Sequence, residues 1–315
     1  MKSALWITLV AIFFQCACHG FEPPSALERD RALGSLENEN PVLQKLFSAG
    51  GDFEPIRAPG LSDWLESHEE KGQSYAAYMT SGFNRPDSKR NVIYIQPLGD
   101  FPADTSPSLE HLRVYAEAFF QLDVKILPTA SIDPQKFSSR INGHTQKEQL
   151  LTGSIIAFLK TQLPSDAYCL IGVTMADLYP AKSWNYVFGQ ASLTGRVGIY
   201  SFARYDPAFF GQPRSSDYKE MILRRSCKVL AHETAHMFGL PHCIYYQCLL
   251  NGANNLDEAD TQPQHVCPIC LRKLHFNIQF DPVVRYEELS KFYKAQGWET
   301  DACWIERQLE KAKAP

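Results

Sequence analysis

The chain has 315 residues, of which 44 % are apolar, and its 31 basic and 35 acidic side chains give a formal net charge of −4. A chain of this length can bury a complete hydrophobic core. The charges are interspersed without a basic excess, so no nucleic-acid partner is expected. The sequence does not predict an oligomeric state.

Residues 1–20 have the pattern of a secretory signal peptide. Lys2 is followed by uncharged, mostly apolar residues at 4–14, and then by a small-residue stretch that ends at Gly20. A membrane anchor is the alternative, but a helix needs about 20 apolar residues to cross a bilayer. We therefore expect cleavage near Gly20, a secreted mature chain and no membrane association after cleavage.

Residues 21–90 are rich in Pro, Gly, Glu and Ser and are predicted to form an N-terminal extension with short helices at 27–39 and 61–71. An inhibitory propeptide is the alternative interpretation. The stretch contains no cysteine, which excludes inhibition by a thiolate on a metal, although Asp52 or Asp63 could still act as an inhibitory ligand. A structural extension is the favoured interpretation.

From residue 91 onward, helical and strand patterns alternate, which predicts a mixed sheet backed by helices. The predicted strands are 92–96, 124–127, 169–174 and 197–203, and the predicted helices are 109–122, 146–163, 283–295 and 302–311. Strand 197–203 is expected at the edge of the sheet, where an extended peptide could add as a further strand.

A long helix is predicted to begin at Ser216 or Asp217 and to run to Phe238. Asp217 and Glu220 have the spacing of a capping box at its start. Its apolar residues lie on several sides, as expected for a helix buried at the centre of a domain.

The end of this helix carries the run His-Glu-x-x-His-x-x-Gly-x-x-His, formed by His232, Glu233, His236, Gly239 and His242. A four-residue step places the first two imidazoles on one helix face. Glycine can then adopt a left-handed conformation that ends the helix and turns the chain back. The motif therefore predicts three metal-ligating imidazoles with a carboxylate beside them.

Three histidine ligands leave one zinc coordination position open for water, which is typical of a catalytic site. Zinc acidifies that water and Glu233 can accept its proton, so the predicted reaction is hydrolysis of an amide bond. A metal site without turnover is the alternative.

Four cysteines follow directly, with spacing Cys-x4-Cys and then Cys-x2-Cys: Cys243, Cys248, Cys267 and Cys270. Two close pairs of thiolates suit a tetrahedral structural zinc that would hold the loop after the helix. In a secreted protein, disulfides within each pair are the alternative. Cys169 and Cys227 are expected as buried free thiols, and Cys303 is left undecided.

The combined motif resembles the archaemetzincins, a family of zinc metallopeptidases in the metzincin clan. The likeness is strongest over residues 226–274, and family-like stretches occur at 91–99 (NVIYIQPLG), 172–180 (GVTMADLYP) and 183–205 (SWNYVFGQASLTGRVGIYSFARY). Together these stretches extend over most of residues 91–290.

The resemblance implies an α+β, metzincin-like fold over residues 91–315, with a mixed sheet, a central active-site helix and a loop held by four cysteines. It implies His232, His236 and His242 as ligands of a catalytic zinc, Glu233 as the general base, and the four cysteines as ligands of a second zinc. Two zinc ions per chain and a peptide or protein substrate are therefore expected. An aminopeptidase preference is compatible with the family, but no residue can be singled out to hold a free amine.

One position departs from the family pattern. Metzincins have a methionine in a turn beneath the catalytic zinc, where this chain has Leu250. Leucine has nearly the volume of methionine, so we expect the replacement to change the packing energy by less than ~1.5 kcal/mol. Asn251 and Gly252 suit a turn with positive φ.

The rival function is a zinc-stabilised binding protein with a vestigial site, but retention of Glu233 argues against it.

Overall fold

The computed structural model describes residues 20–314, which form an α+β fold. The predicted signal peptide therefore lies, except for Gly20, outside the described residues. The helices are α1 (Ala26–Leu33), α2 (Pro41–Phe47), α3 (Trp64–Ser67), α4 (Tyr75–Met79), α5 (Leu109–Phe120), α6 (Thr152–Gln162), α7 (Tyr218–Met237), α8 (Leu256–Thr261), α9 (Pro268–Ile278), α10 (Pro282–Ala295) and α11 (Glu299–Lys313). The strands are β1 (Val92–Leu98), β2 (Val124–Ile126), β3 (Ser139–Ile141), β4 (Glu148–Leu151), β5 (Ala167–Thr174), β6 (Asp177–Tyr179), β7 (Gly189–Ala191) and β8 (Val197–Ser201).

The main sheet has the strand order β2-β1-β5-β8-β7, and β7 alone runs antiparallel to its neighbour. The strand predicted at 197–203 is therefore not at the edge, because β8 pairs with β5 on one side and with β7 on the other. Sequence reasoning missed β7 because it is only three residues long and polar at Gln190. A smaller sheet, β3-β4-β6, accompanies the main one.

The two faces of the main sheet pack against different helices. In β1 and β5, one set of alternating residues, including Ile93 and Ile171, lies in a core shared with α5, α7 and α10. The other set, including Tyr94 and Leu170, packs against α6. Both strands are buried along their whole length, as expected for central strands covered on two faces.

The N-terminal part differs from its predicted form. The helix expected at 27–39 ends at Leu33, and the helix expected at 61–71 is a single turn at Trp64–Ser67. Ser25 forms a capping box with Glu28 at the start of α1, and Gly34 ends it at φ +75°. Helices α1, α2 and α4 pack against α9, and α2 also packs against α11.

Helix α7 has 20 residues, and its length agrees with the prediction. The predicted capping box is wrong, because Asp217 has φ −97° and ψ 10° and makes no side-chain capping bond. An N-cap residue needs an extended backbone to direct its side chain at the helix N–H groups. Among the described residues, no helix combines the length and the hydrophobicity that a bilayer crossing needs.

Candidate metal centres

His232 and His236 lie one turn apart near the end of α7 and face each other. Their Nε2 atoms are 3.0 Å apart, and the two rings are nearly perpendicular, at 89°. The helical repeat places both imidazoles on the face predicted from the motif.

The chain reverses at Gly239, which has φ +82° as predicted. A Cβ at this position would also lie 2.6 Å from Cβ of Phe83, so the turn requires glycine for two reasons. The reversal brings His242 back, and one ring nitrogen from each of the three histidines lies within 4.8 Å of the others. The sequence-predicted trio is therefore assembled in the structure.

Each of the three imidazoles has a hydrogen-bond partner at Nδ1. The partners are the Leu249 carbonyl for His232 (2.9 Å), the Leu240 carbonyl for His236 (2.6 Å) and Oε1 of Glu70 for His242 (2.6 Å). A carbonyl or carboxylate oxygen can only accept, so Nδ1 must carry the proton in each ring. Each Nε2 is then left with a free lone pair.

The electrostatic surroundings favour neutral imidazoles. Burial, assisted by the neighbouring imidazoles, lowers the pKa of His232 well below its usual range and that of His236 to about 4. Neutral imidazole is the form that binds metals. Two lone pairs facing each other at 3.0 Å repel unless a cation lies between them, so the residues fit a divalent metal ion. Zinc–nitrogen bonds of about 2.0–2.1 Å would place two tetrahedral ligands about 3.3 Å apart.

Glu233 lies beside this trio in a crowded position. Its side chain packs against β7, where a Cβ at Gly189 would be only 2.5 Å from Oε1. Within residues 20–314 no group donates a hydrogen bond to its carboxylate, and burial raises the pKa of Glu233 to about 8. The carboxylate is thus held between the helix and the edge strand without a competing partner.

The four predicted cysteines form a second cluster. Their Sγ atoms lie within 4.8 Å of one another, all four side chains are buried, and each is a free thiol. The Sγ atoms of Cys243 and Cys267 are 3.6 Å apart, close to the ~3.8 Å expected when zinc–sulfur bonds of about 2.3 Å form a tetrahedron. Neither alternative disulfide is present in the described structure. Cys169 and Cys227 are buried free thiols as predicted, and Cys303 is exposed.

Backbone and side-chain bonds shape the cysteine loop. Sγ of Cys248 accepts hydrogen bonds from the backbone N–H groups of Leu250 (3.4 Å) and Cys267 (3.2 Å). The side chain of Asn251 accepts from the Cys248 N–H and donates to the Cys243 carbonyl. The loop is more helical than predicted, since it contains α8 and Cys267 directly precedes α9.

The turn at Leu250 differs from its predicted form. Neither Asn251 nor Gly252 has positive φ. Gly252 is required for a different reason, because a Cβ there would lie 2.5 Å from the indole of Trp64. Leu250 itself is fully buried, and its carbonyl accepts the N–H of Cys243 at 2.8 Å.

Two residues near the histidines were missed by sequence reasoning. Glu70 contacts His242 across a separation of 172 residues. Trp64 donates its indole N–H to the same Glu70 oxygen at 2.9 Å, and its ring lies edge-on to His242 at 4.9 Å. No sequence motif connects them to the histidine run.

The fold, the histidine trio with its adjacent glutamate and the four-cysteine cluster define a zinc metallopeptidase. Residues 157–276 match the family model described as Peptidase family M54. The chain is 44 % identical over 267 residues to Archaemetzincin-2 of Rattus norvegicus, covering 76 % of this chain and 74 % of that protein. It therefore belongs to the archaemetzincin family, as the resemblance predicted.

A relative from another species agrees with this assignment, and a similar solved structure is known. The chain is 37 % identical over 300 residues to Archaemetzincin-2 of Homo sapiens, covering 86 % of this chain and 83 % of that protein. The crystal structure of archaemetzincin from Methanopyrus kandleri is 26 % identical, with a TM-score of 0.49, and the match covers 62 % of this chain and 99 % of that chain. The family and the two clusters support zinc as the metal and a peptide or protein as the substrate.

Proposed function

We propose that His232, His236 and His242 bind the catalytic zinc through Nε2 and that Glu233 is the general base of peptide-bond hydrolysis. The observation that carries this proposal is the pair of Nε2 atoms of His232 and His236 that face each other at 3.0 Å. Their Nδ1 protons are committed to backbone carbonyls, so a proton shared between the two Nε2 atoms would leave a charged pair in a buried site. A divalent metal ion satisfies both lone pairs at once.

The chemistry then follows from the position of Glu233. When bound, zinc supplies a Lewis acid that polarises the scissile carbonyl and acidifies the attacking water. The Glu233 carboxylate accepts one proton from that water as its oxygen bonds to the carbonyl carbon. It then gives the proton to the amide nitrogen as the carbon–nitrogen bond breaks. No residue of the described chain donates a hydrogen bond to this carboxylate, so it is available for the transfer.

The four cysteines are proposed as ligands of a second, structural zinc, which gives two zinc ions per chain. All four thiols are buried and converge on one point, so the site has no side open to substrate. Such a closed four-thiolate set is typical of zinc that stabilises a fold.

The substrate is proposed to bind as an extended strand along β7. This strand is the edge of the main sheet, and its Gly189 contacts Glu233. A peptide paired with the free side of β7 would therefore pass beside the catalytic carboxylate.

An aminopeptidase preference is part of the same proposal. A digest of a mixed peptide library would distinguish the two modes, because an aminopeptidase releases single N-terminal residues and an endopeptidase cuts internally.

Secretion is also proposed, on the charge and hydropathy pattern of residues 1–20 alone. Expression in a secretory cell should place the chain in the medium with an N-terminus near residue 21. Retention in the cell with Met1 intact would contradict this part of the proposal.

The variant Glu233→Gln tests the mechanism. It removes the base but nearly conserves the size of the side chain, so zinc content should stay near two per chain while cleavage of a peptide library falls by about 10²–10⁴-fold. Glu220→Gln is the matched control, because Glu220 is exposed on the same helix. Unchanged cleavage by Glu233→Gln would remove this residue from the mechanism, and no cleavage by the parent protein would favour a non-catalytic binding protein.

A further inference from the structure

Glu70 lies in the connection between α3 and α4 and contacts the third histidine of the trio. Its Oε1 is 2.6 Å from Nδ1 of His242, and the two side chains are 20 % and 19 % exposed. The other two imidazoles donate to neutral backbone carbonyls, that of Leu240 within the motif and that of Leu249 in the cysteine loop. His242 is thus distinguished by a charged partner that comes from the N-terminal part of the chain.

The Glu70 carboxylate is itself held in place. The indole N–H of Trp64 donates to the same Oε1 at 2.9 Å, and the Trp64 ring lies edge-on to His242 with centroids 4.9 Å apart. Stacking on His68 at 3.6 Å and close contact with Gly252 fix the indole. These contacts reduce the freedom of Glu70 before any metal binds.

Trp64 is also tied to the loop that carries the cysteines. Its backbone N–H donates to Oε1 of Glu258 at 2.8 Å, and Oε2 of Glu258 accepts the N–H of Asn254 at 2.7 Å. Trp64 and Glu70 are therefore anchored to the segment that follows His242, and the contact with His242 does not depend on a free N-terminal arm.

A carboxylate that accepts the Nδ1 proton of a metal-ligating histidine fixes the tautomer and the orientation of the ring. It also makes the opposite nitrogen a stronger base and a better ligand. Removal of such a partner typically costs about 10–100-fold in metal affinity or activity. The geometry of Glu70 and His242 matches this arrangement.

We propose that Glu70 is a positioning residue for His242, held by Trp64, so that the segment 21–90 supplies part of the active site. This inference rests on the proposed function, in which His242 is a ligand of the catalytic zinc. Glu70 acts through His242 and need not touch the substrate. The segment is then a permanent part of the enzyme, in agreement with the structural extension favoured from its sequence.

The variants Glu70→Gln and Glu70→Ala test the proposal, with Glu69→Gln as the matched control because Glu69 is the exposed neighbour. Zinc affinity of the histidine site is measured by competition with a chromophoric chelator, and kcat and KM are measured on one peptide. We expect zinc affinity to fall by about 10-fold in Glu70→Gln and toward 100-fold in Glu70→Ala. The variant kcat should fall with little change in KM, and Glu69→Gln should match the parent.

Cobalt substitution separates the two metal sites. Cobalt bound by thiolates gives an intense sulfur-to-metal charge-transfer band, whereas the histidine site contributes only weaker ligand-field bands. In Glu70→Gln the charge-transfer band should be unchanged while the ligand-field bands of the histidine site shift or weaken. A general loss of structure would move both signals.

Parent-like zinc affinity and kcat in Glu70→Gln and Glu70→Ala would overturn the proposal, and so would an increase in kcat, which would mark Glu70 as inhibitory. If Glu70→Ala does not fold, Trp64→Phe tests the same contact by removing only the indole donor, and parent-like zinc affinity in that variant would overturn the role given to Trp64. The variant His242→Ala distinguishes failure of the proposed function from failure of the present inference. If it leaves metal binding at the histidine site intact, the proposed function fails; if it abolishes that binding while the Glu70 variants keep parent-like zinc affinity and kcat, only the present inference fails.

Discussion

The two metal-ligating clusters are adjacent in sequence but differ in their surroundings. His232, His236 and His242 are each partly exposed and lie beside a carboxylate, whereas the four cysteines are all buried. His242 and Cys243 are consecutive, so members of a partly exposed cluster and of a buried cluster are joined by one peptide bond. The histidine cluster is therefore accessible to solvent, whereas the cysteine cluster is enclosed by the fold.

We expect the dependence between the clusters to run in one direction. The carbonyl that orients His232 belongs to Leu249, which directly follows the ligand Cys248 in the cysteine loop. The orientation of the His232 ring therefore depends on this loop, whereas within the described residues no hydrogen bond joins the loop to an Nε2 atom of the trio. We therefore expect loss of the thiolate-bound metal to disturb both sites, and loss of the histidine-bound metal to disturb one.

The largest effect should come from Cys270→Ser. Structural zinc contributes an apparent ~10–16 kcal/mol in small zinc peptides, so loss of one thiolate should lower the free energy of unfolding by several kcal/mol. Zinc content should fall and activity should be lost as well. Urea unfolding and metal analysis check this prediction.

Cys303→Ser is the matched control for that variant. Cys303 is exposed, so its substitution should change the free energy of unfolding by no more than about 0.5 kcal/mol. A Cys270→Ser protein as stable as this control would show that the cysteine cluster does not hold the fold.

Stepwise chelation should separate the two sites in time. The partly exposed histidine site should lose its metal first, so peptidase activity should vanish while the circular dichroism spectrum and the thermal midpoint change little. Removal of the thiolate-bound metal should come later and should unfold the loop. Simultaneous loss of activity and structure would contradict the one-directional dependence.

Gly189→Ala should impair catalysis without loss of metal. The added Cβ would lie 2.5 Å from Oε1 of Glu233 and must displace the carboxylate. A displacement of about 1 Å at a catalytic group can cost about 10²-fold in rate, while the zinc ligands are untouched. Gly143→Ala is the control, since a Cβ there meets open space. Full activity of Gly189→Ala would mean that Glu233 need not occupy its observed position.

Leu250→Met should have the smallest effect. The two side chains are nearly equal in volume, so the free energy of unfolding should change by less than ~1.5 kcal/mol and activity should remain close to that of the parent. Thermal unfolding and the peptide assay measure both. A large gain in activity would show that the methionine of the metzincin turn does more than fill space.

The sequence was sufficient where the determinants are local. The trio His232, His236 and His242 follows from the helical repeat and from one glycine turn, and both occur within a single short run of the chain. The four cysteines were recognised for the same reason. Central strands β1 and β5 were also predicted, because strands buried on both faces have continuous apolar sequences.

The sequence was insufficient where distant segments meet. Glu70 and Trp64 reach His242 from 172 and 178 residues away, and no spacing rule connects them. Strand β7 is too short and polar to give a strand pattern, so the edge of the sheet was assigned to β8. Asp217 has the right residue type for a cap, but its backbone has a conformation that cannot form one.

The most direct test of the account is a zinc-edge anomalous diffraction map from crystals of the zinc-loaded protein. The account predicts two peaks, one bonded to Nε2 of His232, His236 and His242 and one bonded to the four cysteine Sγ atoms. A well-folded protein with a single peak at the thiolates, and three imidazoles outside bonding distance of any metal, would contradict it.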